Sequence, residues 1–166
     1  NPALDALRHH VLTPRFVEVH RLGSFSSRSL DIDVVLDLMI HDLDLLLALT
    51  GSPEVTDVRG IGAAVLSSHL DMVNARLELP GGTVASITAS RIGRQRVRRV
   101  RIYQDTGYLT LDLASGHATF LRVRPSWKRG TGTSLEEVGD HRELHASVHA
   151  FPTRGSSDLN RAVRGE

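Results

Sequence analysis

The sequence predicts an α+β domain, an open and mostly antiparallel meander sheet with helices packed on one face and a polar, oligomer-forming second face. Three observations carry this. Long apolar runs of helical period occur only in the first third of the chain, where Val34 to Leu49 is the strongest. After Gly51-Ser52-Pro53 the apolar period changes from 3.6 to 2, the spacing of strands with two unlike faces. The strand-like runs are joined by connections far shorter than the dozen or more residues a parallel crossover needs, so neighbours are expected to be antiparallel.

The elements follow in order. Pro2 to Leu12 places Leu4, Leu7 and Val11 at helical spacing, with Pro2 tolerated in the first turn and Pro14 beyond the end. Arg15 to Leu22 alternates as a strand, with Phe16, Glu18, His20 and Leu22 on one face and Val17, Val19 and Arg21 on the other. Gly23 to Asp33 is a Ser-rich loop. Helix Val34 to Leu49 has Asp31 or Asp33 available as N-cap and Gly51 as its stop. Val55 to Leu66, Met72 to Leu79, Thr83 to Ser90, Val97 to Gln104, Tyr108 to Leu113 and Ala118 to Val123 read as strands. Pro80-Gly81-Gly82, Asp105-Thr106-Gly107 and Ser115-Gly116 supply the turn chemistry between them. Along Met72 to Leu79 one face is Val73, Ala75, Leu77 and Leu79, and the other is Asn74, Arg76 and Glu78, which is wet or covered by another subunit.

Composition bounds the function. A chain of 166 residues supports one core without a disulfide or zinc staple. The absence of cysteine removes disulfide frameworks, thiol nucleophiles and iron–sulfur clusters. With 20 basic and 19 acidic residues the formal charge is +1, too balanced to argue for nucleic acid or a membrane surface. No apolar run approaches the ~18 residues that span a bilayer, and no basic-then-apolar leader opens the chain, so it reads as cytoplasmic. It begins at Asn1-Pro2 without methionine and reads as part of something longer. Residues 126–166 read as an irregular or disordered tail, the stretch from Phe151 onward as disordered or foreign.

The chemistry points to one helix. At about 100° per residue, Asp37, His41, Asp44 and Ala48 share a narrow arc, while almost everything else from Val34 to Leu49 is apolar. A helix oily nearly all round is expected to be buried, and its polar stripe to line a cleft, because unpaired buried carboxylates are costly. Asp37 lies one turn from His41, close enough to orient the imidazole, and histidine exchanges protons near neutral pH. Three readings stand: a proton-transfer site, a His–Asp pair that only stabilises the helix, and a metal site of one histidine and two carboxylates. Asp42, amid leucines and away from the stripe, is expected to pair with a cation or a backbone donor.

Asn1-Pro2-Ala3-Leu4, Phe16-Val17-Glu18-Val19-His20-Arg21 and above all Asp37-Leu38-Met39-Ile40-His41-Asp42-Leu43-Asp44 resemble the C-terminal domain of the Gfo/Idh/MocA oxidoreductases over residues 1–125. Within that family the chain is most similar to enzymes of sugar nucleotides such as UDP-N-acetylglucosamine. The resemblance implies that His41 acts as, or beside, the general base, with Asp37 assisting and Asp44 binding substrate. It implies NAD or NADP, bound mainly by an N-terminal Rossmann domain with a glycine-rich turn and a Glu-Lys-Pro segment, neither of which this chain contains. It also implies a homo-oligomer formed through the open sheet face. Gly60-Ile61-Gly62 imitates the start of a nucleotide fingerprint, but Val65 stands where its third glycine belongs and no helical pattern follows.

Arg91, just past a strand, and Arg28, in the loop before the helix, are the candidate substrate-binding cations, since a guanidinium matches a diphosphate in bidentate fashion. The other arginines of the 91–101 cluster are assigned mostly to a solvated or oligomeric face. His20 is placed near the cleft, and Trp127 in packing. The expected function is the substrate-binding and catalytic half of an NAD(P)-dependent oxidoreductase of a sugar, sugar nucleotide or polyol alcohol. The alternative is a non-catalytic oligomerisation or ligand-binding module.

Overall fold

The computed structural model describes residues 1–7, 10, 12–24, 31–128, 130–131 and 134–145. Arg28 and the stretch from Phe151 onward lie outside them. Among the described residues eight strands form one sheet: β1 Phe16–Ser24, β2 Asp57–Ala63, β3 Met72–Glu78, β4 Val84–Gly93, β5 Val97–Gln104, β6 Gly107–Asp112, β7 His117–Val123 and β8 Gly139–Leu144. Their order is β2-β3-β4-β1-β5-β6-β7-β8. Every pairing is antiparallel except β1 with β4.

The predicted meander is therefore interrupted once. β4 and β5 run in opposite directions across the short connection 94–96, but β1 lies between them, parallel to one and antiparallel to the other. The loop-length rule gave the direction correctly and the adjacency wrongly, because a three-residue connection can step over the end of one intervening strand. Elsewhere the turn chemistry acts as read. Gly107 has φ of 151°, and a Cβ there would collide with the Leu121 carbonyl oxygen, so the β5–β6 turn admits only glycine.

Alternation assigns the two faces. Val17, Val19, Ala85, Ile87, Val100, Ile102, Leu109 and Leu111 are buried beneath the helices. The opposite face carries Asn74, which donates to Thr88 Oγ1 at 2.9 Å and Ser86 Oγ at 3.3 Å, and Glu18, which accepts from Arg101 at 2.8 Å. Tyr103 stacks between Phe16 and Tyr108 on that face, with ring centroids 5.8 and 4.8 Å apart. The expected polar second face is present.

The helices depart further from expectation. The first, α1, covers only Pro2–Asp5, with the Asn1 side chain accepting from the Ala3 N–H. Ala6 and Leu7 follow it as a turn, α1 itself packs on β6 and β7, and residues 8, 9 and 11 of the expected helix lie outside the described residues. The main helix opens as a π-helical segment, Val35–Met39, and continues as α2, Ile40–Thr50, until Gly51 at φ 65° ends it. Neither Asp31 nor Asp33 caps it: the helix starts without a side-chain cap, and Asp33 Oδ1 instead accepts from the Leu70 N–H at 2.7 Å. A short helix α3, Leu135–Val138, and strand β8 fall within the stretch read as irregular. β8 is an edge strand with charged side chains on both faces, so it carries no alternation to read.

Candidate functional site

α2 is not buried all round. It lies on the sheet by one side only, and no other element of the described residues covers the other. Inward are Val34, Met39, Asp42 and Leu46; outward are Leu36, Ile40, His41, Asp44 and Ala48, with Asp37 half-buried at the border. Leu36 and Ile40 are 63% and 47% exposed, large values for such side chains. The stripe of Asp37, His41 and Asp44 therefore faces out from a surface flanked by two apolar side chains, and the described residues close no cleft over it.

The three side chains make no hydrogen bond or ion pair among the described residues, so Asp37 does not hold the His41 ring. A π-helical turn widens the helix locally, and Asp37 sits in that segment while His41 sits in the regular helix after it. Their phase consequently departs from the regular α-helical arc that the sequence spacing assumes. No group of three histidine, aspartate or glutamate side chains among the described residues is close enough to hold a metal ion.

Of the two partners expected for Asp42, a cation or a backbone donor, the structure supplies the cation. Arg21 Nε donates to Oδ2 at 2.7 Å and its Nη2 to Oδ1 at 2.6 Å, a bidentate pair with the aspartate 1% exposed. Arg21 comes from β1 in the phase of Val17 and Val19, and so points from the sheet into the helix. Arg98 stands opposite Arg21 on β5. Burial, with the neighbouring Arg21 and Arg96 charges, lowers its guanidinium pKa, and Asp42 partly offsets this.

Arg91 is buried in a second polar knot. Its Nε donates to Asp71 Oδ1 at 2.8 Å, Nη1 to the Ile32 carbonyl at 2.7 Å and Nη2 to Ser67 Oγ at 3.0 Å. Asp71 Oδ2 accepts from the consecutive N–H groups of Val65, Leu66 and Ser67 at 2.7, 2.6 and 3.1 Å. The Leu66 N–H above all, helped by Arg91, holds the Asp71 carboxyl well below the usual carboxylate range, although burial acts the other way. The Val34 N–H donates to the Leu70 carbonyl at 2.9 Å, so this knot ties the β2–β3 loop to the entry of the π-helical segment.

Arg21, Asp71 and Ser67 were missed as structural partners of the site. A signal existed in the strands themselves. Arg21 and Arg91 each occupy an apolar phase of an alternating strand, which is where a buried arginine with a committed carboxylate is found. His20 lies on the opposite face of β1 from α2, beside Glu18 at 3.6 Å, and so belongs to the open sheet face.

Comparison with known proteins agrees with this architecture. A family model described as the GFO/IDH/MocA C-terminal domain matches residues 6–110. The UDP-N-acetylglucosamine 3-dehydrogenase of Acidithiobacillus ferrooxidans is 44% identical over 134 residues, 80% of this chain and 41% of that protein. The chain thus spans about two-fifths of that relative's length. A solved structure of the same enzyme superposes with a TM-score of 0.69 over 73% of this chain and 40% of its own. Scyllo-inositol dehydrogenase from Lactobacillus casei, solved with bound NAD(H) and scyllo-inositol, superposes with a TM-score of 0.54 at 18% identity, covering 65% of this chain and 37% of its own. That last likeness is one of fold.

Proposed function

The chain belongs to the Gfo/Idh/MocA family through its C-terminal domain, and from that premise we propose that it is the substrate-binding and catalytic half of an NAD(P)-dependent oxidoreductase. Its substrate in this reading is a secondary alcohol of a sugar, sugar nucleotide or polyol. The observation that carries the reading is the outward stripe: His41 and Asp44 are exposed, and neither they nor Asp37 are committed to a partner among the described residues. Structural histidine–carboxylate pairs are normally engaged with each other, and these are not.

The dinucleotide has no cradle in the described part of this chain. Gly60 and Gly62 lie inside β2, an edge strand, rather than at a strand-to-helix turn, and so do not fit a bound pyrophosphate. A separate nucleotide domain is part of the proposal. This chain's own part is to bind and deprotonate. His41 accepts the proton of the reacting hydroxyl, Asp44 accepts a hydrogen bond from a neighbouring hydroxyl, and Asp37 assists as a further open acceptor at the border of the stripe. Leu36 and Ile40 form the apolar border against which a covering domain excludes water. Arg91 serves by fixing the helix entry, since the hydrogen-bonding edges of its guanidinium are engaged with Asp71, Ser67 and Ile32. Arg28 remains the candidate cation of the loop before the helix.

A second reading rests on the open sheet face. Glu18, Arg99, Arg101, Tyr103 and Tyr108 give it charges of both signs and an aromatic row, which suits a second copy of the chain. In that reading the domain is an oligomerisation module, with or without catalysis, and sedimentation as a monomer at high concentration removes it. The catalytic reading is tested by joining the chain to its nucleotide domain and comparing His41→Ala with the parent on UDP-sugars and polyols. Turnover is expected to fall about 10²–10⁴-fold, the usual contribution of a general base, with unchanged thermal stability. Undiminished turnover excludes it.

A further inference from the structure

The segment Val34–Thr50 carries more apolar surface than the sheet can cover, as the exposure of Leu36 and Ile40 shows. Hydrophobic burial is non-directional and counts area rather than identity. Rolling this helix toward Leu36 and Ile40 would exchange one set of buried leucines for another at small net change in area. Packing alone therefore specifies weakly which side chains face outward, and something else must select the observed rotation.

We infer that the Arg21–Asp42 pair sets the axial rotation of α2 on the sheet and so decides that Asp37, His41 and Asp44 face outward. Asp42 lies within the inward arc beside Met39 and Leu46, roughly 160° round the helix from Ile40 at about 100° per residue. Arg21 projects from β1, which is hydrogen-bonded on both sides, by β4 and by β5, so the anchor itself cannot shift. Two parallel N–H···O bonds at 2.6 and 2.7 Å fix both position and direction. Any roll that buries Leu36 or Ile40 carries the Asp42 carboxylate away from Arg21 toward solvent and strands the Arg21 charge between sheet and helix. A buried ion pair roughly breaks even in stability against apolar residues of similar size, which leaves orientation as its contribution. Asp42 is a positioning residue: it acts on the neighbouring His41 through the backbone, without contact to a substrate.

The importance of this orientation for turnover rests on the function proposed above, but its existence does not, and the test is chosen accordingly. Hydroxyl-radical labelling of the 166-residue chain, read by mass spectrometry, reports side-chain exposure along the helix without any activity assay. In Arg21→Ala/Asp42→Ala, which removes both charges and adds little apolar area to the inward face, labelling of Leu36 and Ile40 is expected to fall severalfold while that of Leu46 and Met39 rises, with cooperative unfolding retained. A labelling pattern identical to the parent overturns the inference, because packing alone would then hold the rotation. If the double variant loses its cooperative transition, Asp42→Asn, which keeps the shape and removes the charge, takes its place: the same exchange of labelling supports the inference and an unchanged pattern overturns it. A loss of turnover in His41→Ala bears on the catalytic reading and leaves this measurement untouched.

Discussion

The two sides of one helix behave as different materials. Inward, Val34, Met39 and Leu46 are sealed against the sheet, and Asp42 is locked to Arg21 by two short bonds. Outward, Asp37, His41 and Asp44 have no partners among the described residues, and Leu36 and Ile40 stand in solvent. Polar groups occur on both sides, so polarity does not distinguish structure from function here; commitment to a partner does. A carboxylate held by two short bonds serves the fold, whereas a histidine and carboxylates left open beside apolar surface are what the proposed catalytic reading draws on.

That contrast is breakable in a graded series. The largest effect is expected from Asp42→Ala, which strands the Arg21 charge in the interior: urea unfolding should show a loss of about 3–5 kcal/mol, the range for breaking one half of a buried pair. Leu46→Ala removes a side chain 1% exposed and is expected to cost about 2–5 kcal/mol by cavity formation, measured in the same way. The two kinds of carboxylate should also separate with pH. The pKa of Asp71 is depressed in the folded chain, so its stabilisation is complete above the ordinary carboxylate pKa and is lost as pH falls below that value toward the folded one. Acid titration of unfolding should therefore show a steeper low-pH decline in the parent than in Asp71→Asn. The smallest effects belong to the outer side, where Leu36→Ser and Ile40→Ser should each change stability by no more than about 0.5 kcal/mol.

Much of this was legible in the sequence, for identifiable reasons. β3 and β5 were readable because alternation along a two-faced strand is local: Val73, Ala75 and Leu77, like Val100 and Ile102, are buried as their phase requires. The insertion of β1 between β4 and β5 was not, because strand neighbourhood is a long-range property that connection length only bounds. β8 was not, because an exposed charged edge has no apolar phase. The helix was found, but its burial was overestimated: counting apolar residues round a helix measures what it can bury, not what its neighbours cover. In the candidate site, the stripe and the need of Asp42 for a cation or a backbone donor were visible, and the identity of the cation was half visible in Arg21's place among Val17 and Val19. Arg91 looked like a substrate clamp because its partner Asp71, 20 residues away, precedes a different strand.

The division between a committed inner side and an available outer one is tested most directly by the unfolding free energy of His41→Ala in this chain. The account predicts a value within about 0.5 kcal/mol of the parent, as for a surface substitution that breaks no contact. A loss of roughly 1–3 kcal/mol, the range for removing one partner of a buried hydrogen bond, would contradict it and return His41 to the scaffold.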